Sequence, residues 1–158
     1  MEHHEQEYQD RINKGVGKDA EDIFEKHLES LGLYSPKDWL KTGTSPWEHE
    51  IDLFWFYTDI VLVPDYIFNK NKKLYLTEVK GTKKIKEVDM DKLKQMHDKA
   101  KLFKQVEVGI SYVNLQTKKV KWYGYEQVES MWNAIEELQY YHETDFKGNK
   151  KGYKILPF

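Results

Sequence analysis

The chain has 158 residues, a formal net charge of −2 and no cysteine. This length suits one domain with a sizeable core, and 39% hydrophobic and 15% aromatic residues exclude a disordered chain. The lack of cysteine excludes a disulfide framework and a thiolate metal site. Since no signal-peptide pattern or membrane-length apolar run occurs, we expect a cytoplasmic protein with no membrane partner.

The charge is unevenly distributed along the chain. Residues 1–65 carry 6 basic and 15 acidic side chains, whereas residues 66–105 carry 12 basic and 5 acidic ones. The overall pI of about 6.3 conceals this basic region, which would attract a polyanion such as nucleic acid. A solvated, lysine-rich helix face would give the same pattern.

An amphipathic helix is predicted from about Asn13 to Leu33, and Gly32 is suited to end it. Glu21 lies at the border of the apolar stripe, where a carboxylate can reach inward to a metal or remain an ordinary surface side chain. The stripe consists of Ala20, Ile23, Phe24, Leu28 and Leu31.

The next region, residues 34–47, is predicted to be a connection because it contains two Ser-Pro pairs. For residues 47–57 we favour a strand, although this aromatic-rich segment could instead pack across a sheet edge. Four acids in or just after it are alternative metal ligands: Glu48, Glu50, Asp52 and Asp59.

Two apolar runs between Asp59 and Lys80 predict a β-hairpin. Both are rich in β-branched and aromatic residues, and a polar break at residues 69–73 separates them. In the second strand, the two-residue period places Glu78 and Lys80 on the same face. If Asp65 pairs beside Glu78, two carboxylates and one ammonium meet at one end of the sheet. Two such carboxylates repel each other, and their oxygen atoms favour Mg²⁺ or Mn²⁺ as the cation between them.

At these positions the sequence resembles a nuclease signature: Pro64-Asp65, twelve intervening residues, and then Glu78-Val79-Lys80. The resemblance is to the PD-(D/E)XK nuclease superfamily. It implies a restriction-endonuclease-like core and hydrolysis of DNA phosphodiester bonds with Mg²⁺ or Mn²⁺.

The resemblance also implies a role for each residue of the motif. Asp65, Glu78 and the backbone carbonyl of Val79 would hold the metal. Lys80 would orient or deprotonate a water molecule, or stabilise the transition state. Glu21 would be an outer or second-site ligand, because residues 13–21 resemble the first helix of Holliday-junction resolvases in this class.

After the hairpin, three lysines in a loop are predicted phosphate contacts: Lys83, Lys84 and Lys86. A second helix is predicted from about Asp89, as N-cap, to Phe103. Gln95 borders its stripe and resembles a glutamine that helps to orient the catalytic lysine or the phosphate in several branches of the class. A polar residue beside a core face would look the same. The stripe consists of Leu93, Met96, Ala100 and Phe103.

The last third of the chain predicts a hairpin and a third helix. Residues 106–114 and 119–125 are its strands, and the helix stripe begins at Val128. Residues 142–158 indicate a polar tail, loosely held up to an apolar end that would dock on the body or on a partner. The order α-β-β-β-α-β, then β-α, predicts an α/β fold with a mixed central sheet flanked by helices, as one domain of residues 1–158.

Three functions follow from these features. We favour a metal-dependent endonuclease that resembles Holliday-junction resolvases and acts on branched DNA as a homodimer, in a bacterial, archaeal or phage-infected cell. The alternative is a restriction-type or flap-processing nuclease, including the virus-type replication-repair nucleases, which residues 78–81 and the following helix resemble about equally well. The third function is a non-catalytic nucleic-acid-binding subunit. The intact Asp65, Glu78 and Lys80 count against it, because a retired site has no reason to keep a costly cluster of charge.

Overall fold

The computed structural model describes residues 16–42, 63–144 and 148–158. The strand predicted at residues 47–57 lies outside these ranges, as do the four alternative metal ligands and residues 13–15 of the first helix. No helix within the ranges is long and apolar enough to cross a membrane.

The described residues form three helices and eight strands. The helices are α1 (Val16–Ser30), α2 (Glu87–Ala100) and α3 (Tyr125–Ala134). The strands are β1 (Trp39–Lys41), β2 (Tyr66–Lys70), β3 (Lys73–Lys80), β4 (Lys84–Lys86), β5 (Val106–Val113), β6 (Val120–Gly124), β7 (Gln139–Thr144) and β8 (Lys150–Ile155).

Helix α1 buries one side, on which Ala20, Phe24 and Leu28 follow the predicted helical spacing and are almost fully buried. Gly32 follows the helix with a φ of 78°, a left-handed conformation that glycine adopts at low cost. Leu31 was predicted to belong to the apolar stripe. It is instead 44% exposed, because it lies beyond the last helical residue.

Strands β2 and β3 form the predicted hairpin. The two residues between them, Asn71 and Lys72, have φ values of 52° and 64°. Positive φ at both positions is typical of the two-residue turns whose twist matches that of the flanking strands. The pairing runs from Lys70 and Lys73 beside the turn to Tyr66 and Thr77 at the far end.

The central sheet has five strands in the order β1-β2-β3-β5-β6. Strands β3 and β5 are parallel and the other neighbours are antiparallel, so the sheet is mixed, as predicted. The segment between β3 and β5 contains β4 and α2, which supply the long crossover that parallel pairing requires. Strand β1 lies at Trp39–Lys41, inside the region that was predicted to be a connection.

Two apolar clusters cover the two faces of this sheet. One contains residues of α1 with Tyr66 and Phe68, and the other contains residues of α2 and α3. In β3, Tyr75 and Val79 pack against the α1-side cluster, whereas Leu76 packs against the α2-side cluster. Alternate residues of β3 therefore serve opposite faces, as the period of two predicts.

Helix α2 begins two residues earlier and ends three residues earlier than the sequence predicts. The buried stripe contains Met90, which was not predicted, together with Leu93, Met96 and Ala100. Phe103 was predicted to belong to that stripe, but it lies beyond the helix and is 64% exposed.

A second, three-stranded sheet has the order β4-β8-β7. The sequence indicated a loosely held tail from residue 142, but most of this segment lies in β7 and β8. Leu156 anchors the segment, because its side chain is buried in the α2-side cluster. Phe158 stacks against Tyr112, with the ring centroids 5.2 Å apart. The apolar end of the chain thus docks on the body.

Candidate active site

The pairing of β2 with β3 brings Asp65 and Glu78 to adjacent positions. Tyr66 pairs with Thr77, so the residue before β2 lies opposite the residue after Thr77. The backbone N–H of Val79 donates a hydrogen bond of 2.8 Å to Asp65 Oδ2. The carboxylate of Asp65 is therefore fixed against the last residues of β3, beside Glu78.

The backbone at residues 64–65 is held from its other side by the residue that follows β1. Thr42 Oγ1 donates to the carbonyl of Pro64 at 2.6 Å, and the N–H of Thr42 donates to the carbonyl of Asp65 at 2.8 Å. Asp65 is thus bonded on both sides, and its position does not depend on a bound ligand.

Glu78 is only 4% exposed, which is rare for a carboxylate unless it is paired. Lys92 of α2 places its Nζ 2.5 Å from Glu78 Oε1. Burial and the negative charge of Asp65 raise the pKa of Glu78 to about 7, against the opposing effects of Lys92 and Lys80. The site therefore concentrates negative charge in a buried place, and a cation would relieve it.

Lys80 lies two residues beyond Glu78 and so on the same face of β3. Its Nζ is 3.1 Å from Asp89 Oδ1. Burial alone would lower the pKa of Lys80, but the carboxylates of Asp89, Glu78 and Asp65 together outweigh burial and raise it. Lys80 therefore remains positively charged, and Asp89 determines where that charge lies.

Two residues of this group were not predicted as site residues. Asp89 was predicted only as an N-cap; it is the third residue of α2, and its Oδ2 accepts the N–H of Lys86 at 3.1 Å. For Lys92 the sequence predicts no role. The available signal was their spacing, because Asp89, Lys92 and the buried Met96 are three and four residues apart on one helix. We call the five residues Asp65, Glu78, Lys80, Asp89 and Lys92 the carboxylate–lysine cluster.

Glu21 has its charged partner elsewhere. Its Oε2 is 2.7 Å from Lys41 Nζ, on β1. Lys41 pairs with Tyr66, whose side chain belongs to the α1-side cluster, on the face opposite Glu78. The described contacts thus bring Glu21 to Lys41 and not to Asp65 or Glu78, and its predicted role as a metal ligand has no support in them.

The other predicted site residues are Gln95, three lysines and Val79. Gln95, which was predicted to help orient Lys80 or the phosphate, is exposed. The side chain that contacts the ammonium group of Lys80 is the carboxylate of Asp89. Lys83 and Lys84 are exposed and Lys86 is half-buried, all of them within six residues of Lys80 along the chain. The N–H of Val79 is used by Asp65, whereas the role of its carbonyl as a ligand stays a prediction.

Among the side chains that the structure describes, no three His, Asp or Glu residues form a group that could hold a metal ion by themselves.

Comparisons with family models, with curated proteins and with solved structures found no match. The fold and the site define an α/β protein with a mixed five-stranded sheet flanked by helices. At the end of its central strand this protein carries a buried cluster of carboxylates and lysines.

Proposed function

We propose that this protein is a metal-dependent endonuclease that hydrolyses DNA phosphodiester bonds, with a restriction-endonuclease-like core of the PD-(D/E)XK type. The observation that carries this proposal is the meeting of Asp65, Glu78 and Lys80 at one end of the β2–β3 hairpin. Phosphodiester hydrolysis requires negative groups to hold a metal ion and a positive group to stabilise the transition state, and two carboxylates and one ammonium in one place provide both.

The donor atoms fit Mg²⁺ or Mn²⁺. Asp65 and Glu78 supply carboxylate oxygens only, which suits hard divalent cations. Mg²⁺ in particular is usually held by one or two carboxylates, with water and substrate phosphate completing its ligands. When bound, the ion would supply Lewis-acid charge at the phosphate and lower the pKa of a bound water. A site with two protein carboxylates is therefore sufficient.

The two lysines have different tasks in this proposal. Lys80, held by Asp89, donates hydrogen bonds to a phosphoryl oxygen or to the attacking water and stabilises the charge that develops in the transition state. Lys92, paired with Glu78, compensates the buried carboxylate while no cation is bound there. Lys92 is thus a positioning residue for Glu78.

Two further features support a nuclease of this type. The element order is helix, three strands, helix and strand, when β1 is counted as the first of the three strands and β4 is assigned to the small sheet. The net positive charge of residues 66–105 lies in and around the cluster and suits a polyanionic substrate. Branched DNA is the substrate that we favour, with a homodimer as the active form, because two opposed strands must be cut.

Incubation with four-way junction, flap and linear duplex DNA, each with Mg²⁺ and with EDTA, tests the proposal. We expect cleavage in Mg²⁺ and none in EDTA. Symmetric nicks confined to the junction would select a resolvase, and cuts confined to the flap would select a flap-processing enzyme. Cleavage that persists in EDTA, or no cleavage of any substrate alongside intact binding, would reject the metal-dependent nuclease.

A further inference from the structure

The small sheet turns one face away from the core. Lys84 pairs with Ile155 and Lys86 pairs with Tyr153, so these four side chains share a face. Ile85, between the two lysines, points the other way and is completely buried in the α2-side cluster. The face that carries Lys84, Lys86 and Tyr153 is therefore the outer one, and we call it the lysine–tyrosine face.

Lysines and aromatic rings alternate on this face. Lys84 Nζ lies 5.0 Å from the ring centroid of Tyr153 and 5.9 Å from that of Tyr141, and Lys86 Nζ lies 5.7 Å from that of Tyr141. The centroids of the two rings are 4.5 Å apart. Cations at about 6 Å or less from a ring are attracted to it, so the ammonium groups and the rings form one connected surface.

The charge of this surface has a single sign in two of its strands. Strands β4 and β8 together contain five lysines and no acidic residue, and by alternation Lys84, Lys86 and Lys151 lie on this face, whereas Lys154 pairs with Ile85 and lies on the other. A lysine-rich surface with aromatic rings is complementary to a polyanion that also presents flat apolar groups. Single-stranded nucleic acid has both properties, because its phosphates are charged and its bases are not hidden in a duplex.

The lysine–tyrosine face begins beside the carboxylate–lysine cluster. Asp89 bonds to Lys80 through Oδ1 and to the backbone N–H of Lys86 through Oδ2, each at 3.1 Å. One carboxylate therefore connects the proposed catalytic lysine with the end of β4. A DNA strand with its scissile phosphate at Lys80 would have Lys86 and then Lys84 next along β4.

We propose that the lysine–tyrosine face binds a single-stranded segment of the DNA substrate next to the scissile phosphate. Lys84 and Lys86 contact phosphates, and the accessible parts of Tyr141 and Tyr153 contact unpaired bases. This inference rests on the proposed function for the identity of the substrate. It narrows the substrate class to flaps, or to branches that expose an unpaired segment.

Binding of a fluorescein-labelled thymidine oligonucleotide, measured by anisotropy in EDTA, tests the lysines without any need for cleavage. The Lys84→Ala/Lys86→Ala variant should bind several-fold more weakly than wild type. The slope of log K against log salt should also become shallower by about 1.4, since each phosphate contact on a single strand contributes about 0.7. The matched control is Lys99→Ala/Lys104→Ala, which removes two exposed lysines at the other end of α2 and should leave affinity and slope unchanged.

The proposed contact between the tyrosine rings and unpaired bases is tested with variants of Tyr153. Stacking on one ring changes affinity by about fivefold or more, so Tyr153→Leu should weaken binding by at least that factor, whereas Tyr153→Phe, which keeps the ring, should not. Unchanged affinity in Lys84→Ala/Lys86→Ala would overturn the proposal. So would an equal loss in the control pair, or an equal loss of affinity for duplex DNA.

These outcomes separate this inference from the nuclease proposal. If wild type cleaves DNA in Mg²⁺ but the lysine and tyrosine variants bind the oligonucleotide normally, only the lysine–tyrosine face is refuted. If the variants lose binding as expected but wild type cleaves nothing, the face is supported and the nuclease proposal fails.

Discussion

The two ends of strand β3 each carry a lysine–glutamate pair, but the surroundings of the two pairs differ. At the start of the strand, Lys73 Nζ lies 3.5 Å from Glu107 Oε1, and both side chains are about half exposed. At its end, the side chains of Lys92 and Glu78 are only 19% and 6% exposed. An exposed pair contributes about 0–1 kcal/mol, whereas a buried pair must first lose its water, at a cost of several kcal/mol per ion.

Because of this difference, the presence of the buried pair is only weak evidence for a role in stability. Replacing a buried ion pair by well-packed apolar side chains of similar volume is often neutral or stabilising. A charged pair at the end of a central strand, beside Asp65 and Lys80, is instead expected of a site that binds charge. The exposed pair of Lys73 and Glu107 provides matched control variants for each test below.

The largest effect is expected on cleavage. Asp65→Asn, Glu78→Gln and Lys80→Ala each remove one charge from the site and should lower the initial cleavage rate in Mg²⁺ on the order of a hundredfold to a thousandfold, as removal of a preorganised charge typically does. Glu107→Gln should cleave like wild type. Full activity in any one of the three site variants would remove that residue from the mechanism.

The next effect is on stability. Lys92→Met leaves Glu78 buried without its ammonium partner and should lower the free energy of unfolding by about 3 kcal/mol, whereas Lys73→Met should lower it by about 1 kcal/mol or less. Urea unfolding in EDTA measures both. The double variant Lys92→Met/Glu78→Gln should recover much of the loss. Equal costs for Lys92→Met and Lys73→Met would show that the two pairs do not differ as described.

A smaller effect is expected in the pH dependence of the metal-free protein. Because the pKa of Glu78 rises from 4.5 to about 7 on folding, the folded state binds this proton more tightly than the unfolded state does. The resulting stabilisation is complete below pH 4.5 and is lost as the pH rises through about 7. The stability of Glu78→Gln relative to wild type should therefore increase across this range.

Urea titrations in EDTA at several pH values measure this change, with Glu107→Gln as the control that should remain parallel to wild type. A constant difference between Glu78→Gln and wild type across the range would contradict the raised pKa.

The smallest effect is expected for Glu21→Gln. Since Lys41 pairs with this carboxylate on the α1 side of the sheet, the substitution should change the cleavage rate no more than Glu107→Gln does. A loss as large as that of Asp65→Asn would instead restore the metal-ligand role that the sequence suggested for Glu21.

The shared face of Glu78 and Lys80 could be predicted from the sequence because the alternation of side chains along a strand is local. A period of two places Glu78 and Lys80 on one face, and a two-residue turn determines which residues of β2 and β3 are opposite each other. The sequence left the position of Asp65 beside Glu78 as a condition, because the polar break at residues 69–73 does not specify which two residues form the turn; the structure places the turn at Asn71 and Lys72.

The contributions of α2 could not be predicted in the same way. The rotation and height of a helix over a sheet depend on how Met90, Leu93 and Met96 pack, and the sequence pattern does not specify this packing. The contacts of Asp89 and Lys92 therefore became visible only in the structure. The small sheet escaped prediction because β8 pairs with a strand about seventy residues away along the chain, and its polar residues resemble a loop.

Mn²⁺ binding, followed by the EPR signal of the free ion, tests most directly whether Asp65 and Glu78 hold one cation between them. At a pH where Glu78 is ionised, wild type and Glu107→Gln should bind Mn²⁺ with the same affinity, and Asp65→Asn and Glu78→Gln should each lose most of it. Equal binding by all four proteins would contradict a shared cation site at the end of β3.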